Sequence, residues 1–410
     1  MSTFYQTVNF FTDNPLTMKK IFPSILVFFL LASCTPQAVV APTAPPTAVA
    51  VATSTPAPQS DIEASVTPMT ESAAPESPVR LAWFYKPPED GTALAALVEY
   101  FDLFILTHYD EEERDALIEL GANQPFFQYL LFVQIQDPGS CSEEPYGNQV
   151  AYKTGDFCAL LDEHPDWFLR DENGNLIRKS KNVFMDPGNE AYREFWLERA
   201  NELQSEYGWN GIFIDNVEAS RNKFERIEQM PVKYSDERSY QAAVESFLAY
   251  VYENKPAETP VYANIVEYNA SQPWLQYLNY LDGVMIEDFA VDYDEEYYSV
   301  DFWLEQMGMV ASALEANKKV ILVAQGSIDN SELARFTLVS YLLINNGSVF
   351  FRYTDSGYYE DVWLYENYTA PLGNPTGSMY ETDGGWRRDF TNGYVFLDPE
   401  SHYSEINIAE

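Results

Sequence analysis

From about residue 79 onward the chain alternates between short apolar runs of strand-like composition and longer helical stretches. The apolar runs are RLAWFY (80–85), DLFILT (102–107), PFFQYLL (125–131), GIFID (211–215), PVYANI (260–265), DGVMIED (282–288), KVILVAQ (319–325) and SVFFRY (348–353). Helices are predicted between them near 91–100, 110–120, 189–206, 236–254, 297–317 and 331–345. Such alternation is the signature of parallel βαβ units. Eight units over roughly 275 residues fit a closed (β/α)8 TIM barrel, which typically takes ~250. The open doubly wound sheet is the alternative, but no GxGxxG follows the first strand to support it.

The interval from about 132 to 208, between strands three and four, is too long for one crossover and reads as an insertion. Its DENGN segment predicts a hairpin turning on Asn173-Gly174. After strand eight, WRRDFTNGYVFLDP predicts a C-terminal β-hairpin turning at Asn392-Gly393, and YYEDVWLYENY (358–368) is the candidate for helix eight.

In a barrel of this kind the active site lies at the C-terminal ends of the strands. Side chains alternate across a strand, so each strand end can be assigned a side. Strand four then turns Ile212 and Ile214 outward, and Phe213 and Asp215 toward the axis. Strand six turns Met285 and Glu287 inward. The same parity places His108, Asn264 and Gln325 inward on strands two, five and seven, with Tyr85, Tyr129 and Arg352 as the corresponding candidates on strands one, three and eight. A one-residue slip would reverse these assignments.

Two carboxyl groups two strands apart are the equipment of glycoside hydrolysis, one ionised and one protonated, flanking the scissile bond. Asp215 is the expected nucleophile, held ionised by Asn216 or Arg352. Glu287 is the expected acid/base, its pKa raised by burial and by the negative charge opposite. Asp288, beside Glu287, competes for that role. Asn216, Glu218, Asn264, Gln325, His108 and Asp186 of the insertion are candidate substrate contacts, although Asp186-Pro-Gly is also ordinary turn chemistry. Trp83, Tyr109 and Trp386 are candidates either for stacking on sugar or for the core. One rival reading is a carbohydrate-binding surface lipoprotein that has lost catalysis. Another uses Asp215, Glu218, Glu287 and Asp288 as oxygen ligands for Mg²⁺ or Ca²⁺. The hydrolase reading requires no cofactor and no metal.

Composition narrows the partners. A formal net charge of −39 repels phosphate backbones and excludes nucleic acid. MKKIFPSILVFFLLASC, starting at Met18, has the charged start and short apolar run of a signal peptide, and its ending resembles a bacterial lipobox. Cleavage before Cys34 and lipidation of its thiol would anchor the protein to the membrane, outside the cytoplasm, in a bacterial cell envelope. Residues 1–17 read as lying upstream of the natural start. From Thr35 to Pro78 the chain is rich in Pro, Ala and Thr and holds no aromatic, Lys or Arg, a composition that cannot bury a core and reads as a spacer before the domain at 79–410. Of the three cysteines, Cys141 and Cys158 remain, and in an exported protein a disulfide is their natural state; two free buried thiols are the alternative. A monomer is expected.

GWNGIFIDNV, VFMDPGNEAYREFW, DGVMIEDF and WRRDFTNGYVFLDP together resemble hypothetical glycosyl hydrolase family fifteen over about 80–400. That group is similar to α-galactosidase-like and polygalactosaminidase-like TIM barrels. The resemblance implies a nucleophilic Asp after strand four and an acid/base after strand six, which fall on Asp215 and Glu287. The α-galactosidase-like clan usually carries Asp at the second position, where this chain has Glu287 followed by Asp288.

Overall fold

The computed structural model describes residues 77–89, 91–266 and 271–409. The predicted signal peptide, Cys34 and the predicted linker as far as residue 76 lie outside them. Eight parallel strands close into a barrel: Leu81–Phe84, Phe101–Leu106, Phe126–Leu131, Gly211–Glu218, Val261–Val266, Gly283–Ile286, Lys319–Gln325 and Val349–Thr354. We number them one to eight in chain order; each pairs with its sequence neighbours, and strand one closes on strand eight. The predicted helices form as Leu94–Tyr100, Glu111–Glu119, Glu190–Tyr207, Glu237–Asn254, Val300–Glu315 and Ser331–Ile344. Side-chain caps fix several starts: Asn189 accepts from Tyr192 N, Asp236 from Ser239 N, Ser299 from Phe302 N and Asn330 from Leu333 N.

Two apolar layers reflect the alternation along the strands. Ala82, Phe84, Leu103, Ile105, Phe127, Tyr129, Phe213, Tyr262, Met285, Ile321, Val323 and Phe350 fill the barrel. Their neighbours Trp83, Phe104, Ile212, Ile214, Val284, Ile286, Leu322 and Phe351 pack under the helices. Glycine makes room at the barrel floor: a Cβ on Gly283 would lie 2.7 Å from the Tyr262 ring, and one on Gly211 would lie 2.9 Å from the Phe127 ring. The two rings fill that space themselves, with centroids 4.5 Å apart.

Strand four is irregular where it matters. Ile214 pairs with Ala263 but Val217 pairs with Ile265, so Asp215 and Asn216 together oppose Asn264. Asn216 takes φ 59°, the left-handed conformation that asparagine tolerates. This bulge resets the alternation, so that Asp215 and Glu218 share the inner face although they stand three positions apart.

The insertion folds on itself. Gln134–Gln136, Asn182–Phe184 and Arg178–Lys179 form a small sheet, a helix spans Asp156–Glu163, and a disulfide joins Cys141 to Cys158. The predicted turn forms, with Asp171 N bonded to Asn175 O and an antiparallel bridge between Arg170 and Leu176. The insertion also crosses the barrel rim. Gly147 O accepts from His108 N at 3.2 Å and Asn148 O from Leu131 N at 2.8 Å.

Two expectations are corrected. The C-terminal hairpin is half of a four-stranded antiparallel sheet, Tyr380–Thr382, Gly385–Phe390, Gly393–Asp398 and Tyr403–Ile408. Phe390 pairs with Gly393, so its tight turn is Thr391-Asn392, one residue earlier than predicted. Residues 358–368 do not form helix eight. Turns run through them, ending in a 3-10 segment at Glu366–Thr369, because Tyr359, Trp363 and Tyr368 are each buried and a regular helix would not place all three inward.

Candidate active site

Asp215 and Glu287 meet at the C-terminal mouth of the barrel, and strand five between them supplies the group that joins them. Asn264 Nδ2 donates to Asp215 Oδ1 at 3.0 Å and to Glu287 Oε2 at 2.6 Å. Both bonds leave one nitrogen, so the two accepting oxygens are no farther apart than the sum of those lengths.

Each carboxyl has further donors. Asp215 Oδ2 receives the Tyr129 hydroxyl and, at 2.6 Å, Asn216 Nδ2. Asn216 Oδ1 in turn accepts from Lys223 Nζ at 3.1 Å, which fixes the orientation of the amide. Glu287 Oε1 receives the Tyr359 hydroxyl at 2.7 Å. Asp215 is 7% exposed, while Glu287 keeps part of its surface open to solvent. Tyr85, joined to Phe84 by a cis peptide, also lies inside the mouth and stacks on Tyr129 at 4.7 Å.

Desolvation by the surrounding protein raises both carboxyl groups. Glu287 is pushed up to about 7, by burial first and then by the charge of Asp215, against the pull of its bonds from Tyr359 and Asn264. Burial also raises Asp215, but the Tyr129 and Asn264 bonds, the Asn216 backbone and the Lys223 charge oppose it. Two such close carboxyls cannot easily ionise together. The single negative charge of the pair therefore rests on Asp215, which has more donors and the nearer cation, and the proton rests on Glu287.

Other candidates lie elsewhere. His108 does not face the axis. Leu103 and Ile105 point inward, so position 108 has the outward parity; its ring bonds Glu111 Oε1 at 2.8 Å and packs against Tyr152 and Tyr207. Arg352 is not beside Asp215. Its guanidinium lies over Trp83 at 4.2 Å and donates to the carbonyls of Phe84, Tyr359 and Asp361. Asp186 bonds Lys233, Tyr234 and Gly188 N and has no bond to Asp215 or Glu287 among the described residues. Glu218 is turned to Lys223, and Asp288 accepts from Tyr298 at 2.7 Å. With those two side chains so engaged, the carboxylates weighed as metal ligands do not converge, and among the described residues no group of three or more His, Cys, Asp or Glu is placed to hold an ion. Gln325 faces inward as predicted, donating to Glu287 O at 2.9 Å and to the Tyr359 hydroxyl at 3.2 Å. Trp83 belongs to the core, and Trp386, partly buried, packs against it beside Trp303. Tyr109 is 45% exposed and bonds Tyr152 O.

Two contributors escaped the sequence reading. Tyr359 lies in the segment assigned to helix eight, where no strand parity applies. Lys223 sits on the short helix Asn222–Arg226 behind the bulge, and nothing in its local sequence marks it.

A (β/α)8 barrel with acidic side chains gathered at its C-terminal mouth is the architecture of glycoside hydrolases. The chain belongs to hypothetical glycosyl hydrolase family 15, whose model matches residues 129–394. Among solved structures it is similar to the glycoside hydrolase domain of PelA from Pseudomonas aeruginosa, at 15% identity and TM-score 0.46, covering 70% of this chain and 97% of that one. It is also similar to the maltogenic α-amylase AmyB of Thermotoga neapolitana, at 14% identity and TM-score 0.42, covering 79% and 86%. A third is the GH36 α-galactosidase AgaA of Geobacillus stearothermophilus, at 10% identity and TM-score 0.43, covering 78% and 47%. None of the curated proteins compared matches the chain.

Proposed function

We propose that the protein hydrolyses glycosidic bonds of a poly- or oligosaccharide with retention of configuration, with Asp215 as nucleophile and Glu287 as acid/base. The observation that carries this reading is the single amide of Asn264 bonded to both carboxyl groups, which brings one oxygen of each within reach of the same nitrogen and so favours the close pair of a retaining enzyme. An Asp215 oxygen attacks the anomeric carbon as the glycosidic C–O bond breaks, and the Glu287 proton passes to the departing oxygen. A water then attacks the glycosyl–Asp215 ester, Glu287 takes its proton, and the ester bond breaks to free the sugar and restore both groups. Tyr85, stacked on Tyr129 beside the pair, and Asn264, between its two members, are assigned to substrate. Following the anomer of the first-formed product by ¹H NMR across an oligosaccharide panel tests this. The product is expected to keep the substrate's configuration, and inversion would refute the nucleophile role.

The same reading sets the enzyme on the outer side of a bacterial membrane, as a monomer anchored through lipid on Cys34. The lysines, apolar run and lipobox-like ending of residues 18–34 support it. Palmitate labelling of cells is expected to mark the full chain and to be lost in Cys34→Ser; equal labelling of both would refute the anchor.

A further inference from the structure

Tyr359 is carried by a loop rather than by a strand or helix, yet its hydroxyl reaches the centre of the site. We propose that Tyr359 is a positioning residue that donates a fixed hydrogen bond to Glu287, and that Arg352 holds the loop that carries it. The proposal rests on the reading of Glu287 as the acid/base.

The direction of the bond follows from its neighbours. Gln325 Nε2 donates to the backbone carbonyl of Glu287 at 2.9 Å, and a carbonyl only accepts, so this end of the amide is nitrogen. The same nitrogen reaches the Tyr359 hydroxyl at 3.2 Å, where it again must donate. The tyrosine oxygen thus accepts from Gln325, which leaves its own hydrogen to point at Glu287 Oε1 at 2.7 Å. Tyr359 is 4% exposed, and the pKa of its phenol lies well above 10, so the donor stays protonated at any working pH.

Arg352 explains how a loop residue is held so firmly. Its guanidinium is 4% exposed and, among the described residues, forms no ion pair. Burying a charge in this way is costly unless its hydrogens are bonded. They go to backbone carbonyls: Tyr359 O at 2.6 Å, Asp361 O at 3.3 Å, and Phe84 O. One side chain thus ties Tyr359 and the residue two beyond it to the end of strand one. Lys86 paired with Glu360 at 3.3 Å, and Glu89 N bonded to Glu360 O, close the same loop from outside.

The consequence is chemical. Glu287 becomes a carboxylate as it releases its proton to the leaving oxygen, and Tyr359 donates to the charge that develops. The titratable and charged groups facing this site are Asp215 from strand four, Asp288 beside Glu287, Tyr85 and Tyr129 from strands one and three, and Tyr359. Lys223 acts on Asp215, and Arg352 on Tyr359. Removing the phenolic hydrogen leaves these other influences in place, so the Glu287 carboxyl must titrate higher.

The test is Tyr359→Phe, which keeps the ring against Phe84 and Tyr85. The Glu287 carboxyl is followed by ¹³C NMR on glutamate-labelled protein and assigned by its disappearance in Glu287→Gln. Its pKa is expected to rise by ~1 unit in Tyr359→Phe, and in the same direction in Arg352→Lys. On aryl glycosides kcat is expected to fall ~10- to 100-fold with KM little changed, the alkaline limb to move up, and the loss to shrink as the leaving group improves. A Glu287 titration identical in parent and Tyr359→Phe overturns the proposal. One unchanged only in Arg352→Lys overturns the role given to Arg352. Glu287→Gln turning over substrates with poor leaving groups at the parent rate would refute the acid/base reading while leaving the titration result standing.

Discussion

Asp215→Asn is expected to lower kcat by at least about 10⁴-fold. The substitution changes one oxygen to an NH2, so it keeps the volume and removes the nucleophile. It also disturbs the donors: Tyr129, Asn216 and Asn264 all point hydrogens at this position, and an amide can accept at only one end. Those donors and the Lys223 charge together form a cradle for an anion. Asp215→Gly, which empties the cradle, should therefore accept azide, recover turnover on an activated aryl glycoside and release a glycosyl azide of inverted configuration. Steady-state rates with and without azide check this. Rates within tenfold of the parent in Asp215→Asn would remove the residue from the mechanism.

Glu287→Gln should show two opposite effects. On substrates with poor leaving groups kcat is expected to fall ~10²- to 10⁴-fold, the range for losing a general acid; on dinitrophenyl glycosides, which leave without a proton, the loss should be much smaller. The second effect is on stability. The folded-state pKa of Glu287 is raised to about 7, above its ordinary 4.5. A group raised in this way contributes fully to stability below its unfolded pKa, and the contribution is lost as pH rises through the folded value. At pH 8 the parent thus carries a penalty that glutamine does not, on the order of 2 kcal/mol. The variant should unfold at a higher temperature than the parent at pH 8, and the gap should close as pH falls toward 4.5. Melting curves across that range decide it, and a gap independent of pH would mean that Glu287 is not perturbed by folding. In activity, the alkaline limb should follow ionisation of Glu287 near 7 and the acid limb the protonation of Asp215, with both values belonging to the coupled pair.

Much of this arrangement was legible before the structure, for a physical reason. The eight strands are buried on both faces, so their composition stands out, and two-residue alternation then assigns sides without knowledge of the fold. Asp215, Asn264, Glu287 and Gln325 follow from that rule alone. The rule fails where the chain leaves the strand. His108 lies beyond the end of its strand, and its parity is outward. Arg352 has inward parity, but its long side chain bends to backbone carbonyls that no pattern announces. Tyr359 belongs to a loop whose aromatic spacing mimics a helix, and only tertiary packing decides against one. Glu218 shares the inner face with Asp215 for a reason the pattern could not show, because the bulge that places it there depends on pairing with strand five.

That bulge gives strand four one residue more than its partner strand, and the extra residue stands between the lysine and the nucleophile. Deleting Asn216 would restore regular pairing with strand five while Val217 stayed opposite Ile265 and Glu218 opposite Val266, so neither would change face. What would go is the amide that accepts from Lys223 at one end and donates to Asp215 at the other. Shortening this segment by one residue is thus expected to leave the barrel closed and the nucleophile cut off from the lysine.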